Sequence, residues 1–178
     1  MNRHITFKGL EIDGRLRDFV NELKKMGFKK SSFLENLSIN ETCMEGEFTK
    51  EKVVVHIKTS KESGVVFEIT IYFPDLNENA DWYTVKSLYG KYKALYTKKY
   101  GRPNNSKETL NGYCRDDSEL VSEAFEKGTA VYRTSYKTEY GTINLGVDAD
   151  CYFYITYRDD INSNLNADEL EKEILDEI

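Results

Sequence analysis

Val65-Val66-Phe67-Glu68-Ile69-Thr70-Ile71-Tyr72-Phe73 is the stretch that decides the fold. Val65, Phe67, Ile69, Ile71 and Phe73 alternate with Val66, Glu68, Thr70 and Tyr72. Strict period two over this length marks a half-buried antiparallel strand. Working outward, Lys61-Glu62-Ser63-Gly64 reads as a turn, and before it Val53, Val55 and Ile57 alternate with Val54, His56 and Lys58. Glu47-Phe48, ahead of a turn at Thr49-Lys50-Glu51-Lys52, adds a third strand to this meander. Pro74-Asp75 ends it.

Helical periods flank the meander. Leu16, Phe19, Val20, Leu23 and Met26 fall in one arc about 120° wide, so Arg15 to Met26 reads as a helix. Lys24, Lys25 and Gly27 suit its C-terminal end. The opening, Ile5 to Ile12, alternates loosely and reads as a short edge strand; residues 31–42 are polar and carry no period. Downstream, Asp81 is the expected N-cap of a long helix from Trp82 to Tyr100, stopped by Gly101-Arg102-Pro103. Its inward arc holds Trp82, Val85, Leu88, Tyr89, Tyr92, Leu95, Tyr96 and Tyr100. A loop to about Gly112 follows, then a short helix capped by Asp117 or Ser118 and bearing Leu120, Val121, Ala124 and Phe125.

A second meander is expected from three alternating runs. Ala130, Tyr132 and Tyr136 alternate with Val131, Arg133 and Lys137, and Ile143, Leu145 and Val147 with Asn144, Gly146 and Asp148. Cys151, Phe153, Ile155 and Tyr157 then alternate with Tyr152, Tyr154, Thr156 and Arg158. Asn166-Ala167-Asp168-Glu169 has the spacing of a capping box for a terminal helix carrying Leu170, Ile174 and Ile178. Strand runs joined by hairpin-length turns and separated by helices imply an α+β fold: an antiparallel sheet of two meanders with helices packed on one face. The expected organisation is a single compact unit over 1–178, with half-repeats 1–80 and 81–178. Phe67-Glu68-Ile69-Thr70-Ile71-Tyr72 echoes Tyr152-Phe153-Tyr154-Ile155-Thr156-Tyr157, as a degenerate tandem duplication would.

Composition bounds the rest. At 39% hydrophobic, with 13 Tyr, 9 Phe and 1 Trp, the chain has enough apolar area for a core and is not disordered throughout. Lys+Arg 25 against Asp+Glu 31 gives net charge −6, so no global field draws it to nucleic acid or anionic lipid. The residues contain no signal-peptide core and no transmembrane run, and three cysteines make no disulfide framework. The expectation is a soluble cytoplasmic protein, exported if the natural chain carries an N-terminal signal.

The opening Phe7-Lys8-Gly9-Leu10-Glu11-Ile12-Asp13-Gly14, followed by Phe19 to Gly27-Phe28, resembles small uncharacterised bacterial α+β proteins. So does Lys99-Tyr100-Gly101-Arg102-Pro103 followed by Thr142-Ile143-Asn144-Leu145. Their tandem helix-plus-sheet arrangement is similar to the β-lactamase-inhibitor-protein-like repeat fold. The resemblance implies that fold and supplies no catalytic residues.

Candidate chemistry is sparse. Helix 82–100 and its end hold six basic residues and no acid from Lys86 to Arg102, interleaved with Tyr, the composition of a nucleic-acid surface. The wheel turns those tyrosines inward, however, which favours core packing with a solvated basic face. Asp75 to Lys86 fails as a calcium loop at its sixth and twelfth positions, Ala80 and Lys86. Asp160, Asn162, Asn164, Asn166, Asp168 and Glu171 match the ligand positions of such a loop but put Leu165 where glycine is needed. His4 and His56 are the only histidines and no close zinc-ligand pair exists. A hydrolase would need Cys43, Cys114 or Cys151 beside His56. Asp116-Asp117 and Asp159-Asp160 read as turns and caps. No metal, cofactor or catalytic residue is expected.

Alternation leaves one candidate surface. If the apolar set faces the helices, the other face of the sheet presents His56, Tyr72, Arg133, Tyr152, Tyr154 and Arg158. Tyr and Arg are enriched at binding hot spots. The expected function is therefore a non-enzymatic interaction module that docks a protein or peptide on this face. No nucleic-acid or membrane partner is expected, while a second copy of the chain is open as a partner. The alternatives are a hydrolase with a Cys–His pair and a nucleic-acid-binding module using helix 82–100.

Overall fold

The computed structural model describes residues 4–77, 81–110 and 118–178. In chain order its elements are β1 (Thr6–Phe7), β2 (Leu10–Glu11), α1 (Leu16–Lys25), β3 (Lys29–Lys30), β4 (Glu41–Phe48), β5 (Glu51–Thr59), β6 (Val66–Tyr72) and α2 (Pro74–Asn77). They continue with α3 (Trp82–Tyr100), β7 (Asn105–Thr109), α4 (Ser118–Glu126), β8 (Val131–Lys137), β9 (Gly141–Val147), β10 (Phe153–Asp159) and α5 (Asp160–Asp176). Strands β1 and β2 form a small hairpin, and the other eight form one antiparallel sheet in the order β3-β4-β5-β6-β10-β9-β8-β7. The fold is α+β.

The chain divides into two compact units that do not coincide with the halves 1–80 and 81–178. Unit 1 comprises Met1–Ile71, Thr138–Thr142 and Thr156–Ile178; unit 2 comprises Tyr72–Lys137 and Ile143–Ile155. Unit 1 thus recruits the second half of β10 and all of α5.

In unit 1 the 5–12 segment is a hairpin and not one strand, because Lys8 and Gly9 both take left-handed backbone (φ 52° and 85°) and reverse the chain after two residues. Its Ile5, Phe7 and Ile12 are buried. Helix α1 buries Phe19 and Leu23, packs on β5, and leaves Met26 exposed. The β4–β5 turn is tighter than the expected 49–52: Phe48 pairs with Glu51, and Thr49 and Lys50 alone make the turn, at φ 53° and 68°. A β-branched residue is strained there. Replacing Thr49-Lys50 by Asn-Gly, the pair this turn prefers, is expected to raise unfolding free energy by about 1 kcal/mol, read as a higher thermal midpoint.

Helix α5 begins well before the expected capping box at Asn166. Asp159 is its N-cap, its carboxylate accepting from the backbone N–H of Asn162 at 3.0 Å and of Ile5 at 3.0 Å. His4 Nδ1 lies 3.1 Å from the same carboxylate, and His4 Nε2 lies 3.7 Å from Asp13. The Asn162 amide donates to the carbonyls of Ile12 (3.1 Å) and Val66 (3.0 Å) and to Asp13 (3.0 Å). Residues 160–171 are therefore helical, and a calcium loop over them is ruled out by the backbone itself. The buried side chains of α5 are Asn162 and Glu169, whereas the expected packing residues Leu170, Ile174 and Ile178 are exposed. Glu169 instead accepts from the backbone N–H groups of Glu62 (2.8 Å) and Ser63 (3.1 Å) at the β5–β6 turn.

Unit 2 is built on α3, whose bounds are those expected. Asp81 caps it by accepting from Thr84 N–H at 2.8 Å, and Gly101 ends it. Trp82, Val85, Leu88, Tyr89, Tyr92 and Tyr96 are buried; Leu95, at the margin of the arc, is 48% exposed. Two short elements of this unit were not legible in the sequence, α2 directly after the first meander and β7 within the expected loop to Gly112, nor was β3 in unit 1. Helix α4 starts at Ser118 and buries Val121, Ala124 and Phe125, with Leu120 exposed. The expected cap Asp117, with Cys114 and Asp116, lies outside the described residues. Phe153 sits at the centre of an aromatic cluster with Phe73, Tyr92 and Tyr89.

Candidate functional site

In β10 and the second half of β8 burial alternates as the sequence does, whereas in β5 and β6 both faces are buried, Val54, His56, Val66 and Thr70 included. In β10, Phe153, Ile155, Tyr157 and Asp159 are buried, while Tyr152 just before it, Tyr154 and Thr156 are half-buried and Arg158 is exposed. In β8, Thr134 and Tyr136 point into the core, and Arg133 and Lys137 into solvent. What the face carries differs between the two units.

On the unit 1 part of the face, the polar groups satisfy one another. Glu68 lies between Lys58 (3.2 Å) and Arg158 (3.8 Å), and Arg158 Nε also donates to Ser163 Oγ at 3.2 Å. Thr70 and Thr156 share a hydrogen bond of 3.0 Å. Arg158 is therefore exposed but already engaged.

His56 corrects the expectation of an exposed side chain, being only 7% exposed. Segment 31–40 lies over this end of the face: the Leu34 N–H reaches the Cys43 sulfur, and Thr59 N–H and its hydroxyl both bond the Asn40 carbonyl. The register sets Cys43 directly opposite His56, so both side chains share this covered side. Cys43 has no exposed surface, and burial pushes its thiol up to about 11. Burial, then the nearby Lys58 cation, lowers the pKa of His56; the Glu41 carboxylate, 3.7 Å from its Nε2, opposes both. Among the described residues His56 Nε2 has no hydrogen-bond partner. A thiol in this state is a poor nucleophile, since the thiolate is the reactive form. Cys151 is likewise buried and raised to about 11 by burial.

In unit 2 the face carries the half-buried Tyr152 and Tyr154 and the exposed Arg133. The Tyr154 ring lies so close over Gly146 that a β-carbon there would fall 2.5 Å from its hydroxyl oxygen. Glycine at 146 is what lets the tyrosine lie down on the sheet. The Asp148 carboxylate accepts from the backbone N–H of Tyr152 at 2.8 Å and of Asp150 at 3.1 Å, fixing the turn that delivers Tyr152. Beside them Ser135 Oγ hydrogen-bonds Asn144 Oδ1. Toward β7 the surface dips into a depression of about 440 Å³ lined by Asn105, Lys107, Val131, Arg133, Ser135 and Asn144. Of the residues named from sequence, this part gathers Arg133, Tyr152 and Tyr154. Tyr72 also belongs to unit 2 and is half-buried. Lys107 and Asn105 were missed, because Asn105-Ser106-Lys107-Glu108-Thr109 has no apolar residue to reveal a strand.

The tyrosines of α3 do not form a stacking platform: Tyr89, Tyr92 and Tyr96 are buried against one another and against Tyr132, Phe153 and Tyr136. Among the described residues no three His, Cys, Asp or Glu side chains are placed to hold a metal ion, and no helix is long and apolar enough to cross a membrane. The geometry defines an α+β protein with an antiparallel sheet whose face in unit 2 carries Tyr152, Tyr154 and Arg133. Comparison with protein-family models, curated proteins and solved structures found no match for this chain.

Proposed function

We propose that this chain is a non-enzymatic interaction module that binds a protein or peptide through the unit 2 face of its sheet, with Tyr152, Tyr154 and Arg133 as anchors. The observation that carries the reading is Tyr154, packed closely over Gly146 yet only partly buried. An aromatic ring immobilised before binding loses little side-chain entropy when a partner covers it. The tandem helix-plus-meander relationship belongs to the same reading and is supported by the element order, in which α1 precedes β3–β6 and α3 leads to β8–β10. Free thiols at Cys43 and Cys151 accord with a reducing, cytoplasmic setting.

Affinity capture with the intact protein tests this, set beside a Tyr152→Ala/Arg133→Ala form. The double substitution is expected to lower recovery of the bound partner by about tenfold or more, as loss of two anchors does. Equal recovery by both forms would overturn the assignment of the face.

A thiol hydrolase is the rival reading, and the juxtaposition of Cys43 with His56 is what favours it. Alkylation at neutral pH separates the two. Cys43, with no exposed surface and a raised pKa, is expected to react at least about a hundredfold more slowly in the native protein than after unfolding in urea. Rapid, selective native modification of Cys43 would favour the hydrolase.

A further inference from the structure

Strand β7 stands at one end of the sheet order, paired with β8 on one side. Among the described residues no strand pairs with its other side, and all five of its residues are exposed. A strand edge of this kind presents backbone N–H and C=O groups to an incoming chain.

The register adds a charge feature. Lys107 is directly opposite Arg133, and Asn105 directly opposite Ser135. Directly opposed residues share a face with β-carbons about 5 Å apart, and like charges so placed destabilise the pair. Neither cation has an anionic partner among the described residues. Glu108, next in the chain, faces the other way: its carboxylate is taken by Tyr89, Lys93 and Ser106. Unit 1 treats the same situation differently, setting Glu68 between Lys58 and Arg158. In unit 2 no described residue supplies such a carboxylate, and a depression of about 440 Å³ lies beside the two cations, with Asn105, Ser135 and Asn144 as uncharged polar neighbours.

We propose that the outer edge of β7 takes up an acidic, extended segment of a partner protein as an added strand, with an Asp or Glu of that segment opposite Lys107. The proposal rests on the reading of the unit 2 face as a protein-binding surface and names its ligand. A paired strand puts every second side chain of the segment on the face of Lys107 and Arg133, so one carboxylate directly opposite Lys107 gives that cation a counter-charge and offsets its repulsion with Arg133 on the next strand. An isolated phosphate group would answer the two cations but leave the strand edge unpaired, which is why a peptide is favoured.

The test titrates the intact ¹⁵N-labelled protein with three probes: a decapeptide alternating Glu with Val and Thr, its Gln-for-Glu counterpart, and inorganic phosphate. The acidic peptide is expected to shift the backbone amides of 105–109 saturably. The Gln peptide, and the acidic peptide on Lys107→Glu, are each expected to bind at least about tenfold more weakly, with an otherwise unchanged spectrum. Lys107→Ser, which removes the charge without reversing it, is expected to fall between. Absence of shifts in β7, or affinity indifferent to Lys107→Glu, overturns the proposal. So does phosphate shifting 107 and 133 when the peptide does not, which assigns the site to a phosphate group. Should the titration fail while Tyr152→Ala/Arg133→Ala still abolishes partner capture, the face stands and only its ligand has been misnamed; failure of both removes the face as well.

Discussion

Phe153→Ala is expected to lower the unfolding free energy by about 3–5 kcal/mol, a large share of what a domain of this size possesses. Phe153 has no exposed surface, and its ring stacks on Tyr92 at 5.4 Å, tilts against Phe73 at 5.4 Å and meets Tyr89 edge-on at 6.2 Å. Truncation removes the ring's own burial and leaves a cavity. The neighbours cannot fill it freely: Phe73 and Tyr92 already pack against each other at 5.0 Å, and the Tyr89 hydroxyl is bound to Thr134. Urea unfolding reads the effect as a fall in midpoint at constant slope. Phe153→Leu, which keeps most of the volume, is expected to cost no more than about 1.5 kcal/mol. Equal, small losses for both variants would contradict the packing described.

Asp159→Ala is expected to cost about 2–4 kcal/mol, although it removes only one short side chain. The substitution deletes the N-cap of α5, an effect of about 1 kcal/mol, and leaves the buried Ile5 N–H without an acceptor, a further 1–3 kcal/mol. Asp159→Asn retains one carbonyl oxygen and is expected to recover about half of the loss. Hydrogen exchange distinguishes this from a general loosening. In Asp159→Ala, protection is expected to fall first at the Ile5 amide and in the first turn of α5, and last in α3, which lies in the other unit.

These two residues also divide what the sequence discloses from what it conceals. Phe153 belongs to a run whose period is unmistakable, so its burial follows from the letters around it. Asp159 stands in a stretch with several acceptable caps, among them Asp160, Asn166 and Asp168. The choice between them is made by Ile5, whose amide needs the same carboxylate, and no local pattern records a partner 154 positions away. The exposed Leu170 and Ile174 have a related origin: α5 is held to unit 1 through Asn162, Glu169 and ion pairs such as Lys61–Glu173, so apolar spacing is a poor guide to its inner side. Leu95 shows the limit of the helical wheel, since a residue at the margin of an apolar arc can turn either way.

At the candidate site, the parity of Arg133 and Tyr154 was legible because each sits in an alternating strand, and Tyr152 continues the alternation one residue ahead of β10. The cover over His56 was not, because residues 31–42 carry no period. The facing cations were hidden more deeply still. Lys107 and Arg133 are 26 residues apart in sequence, and only the strand register makes them neighbours.

The return of the second half of β10 and of α5 to unit 1 bears on how the chain is made. As it leaves the ribosome, residues 1–71 can form hairpins and α1, but Ile5, Ile12 and Val66 have no Asp159 or Asn162 to bond until more than half of the chain has followed. During that interval β6 lacks its outer neighbour β10. Its Val66-Phe67 and Ile69-Thr70-Ile71 are then an exposed apolar strand edge, the kind of surface that recruits other nascent strands. Closing contacts of such sequence separation also makes folding slow. Synthesis of this protein is therefore expected to have a vulnerable period, set by the time needed to translate residues 72 to 162, in which shielding of β6 would raise the yield of native molecules.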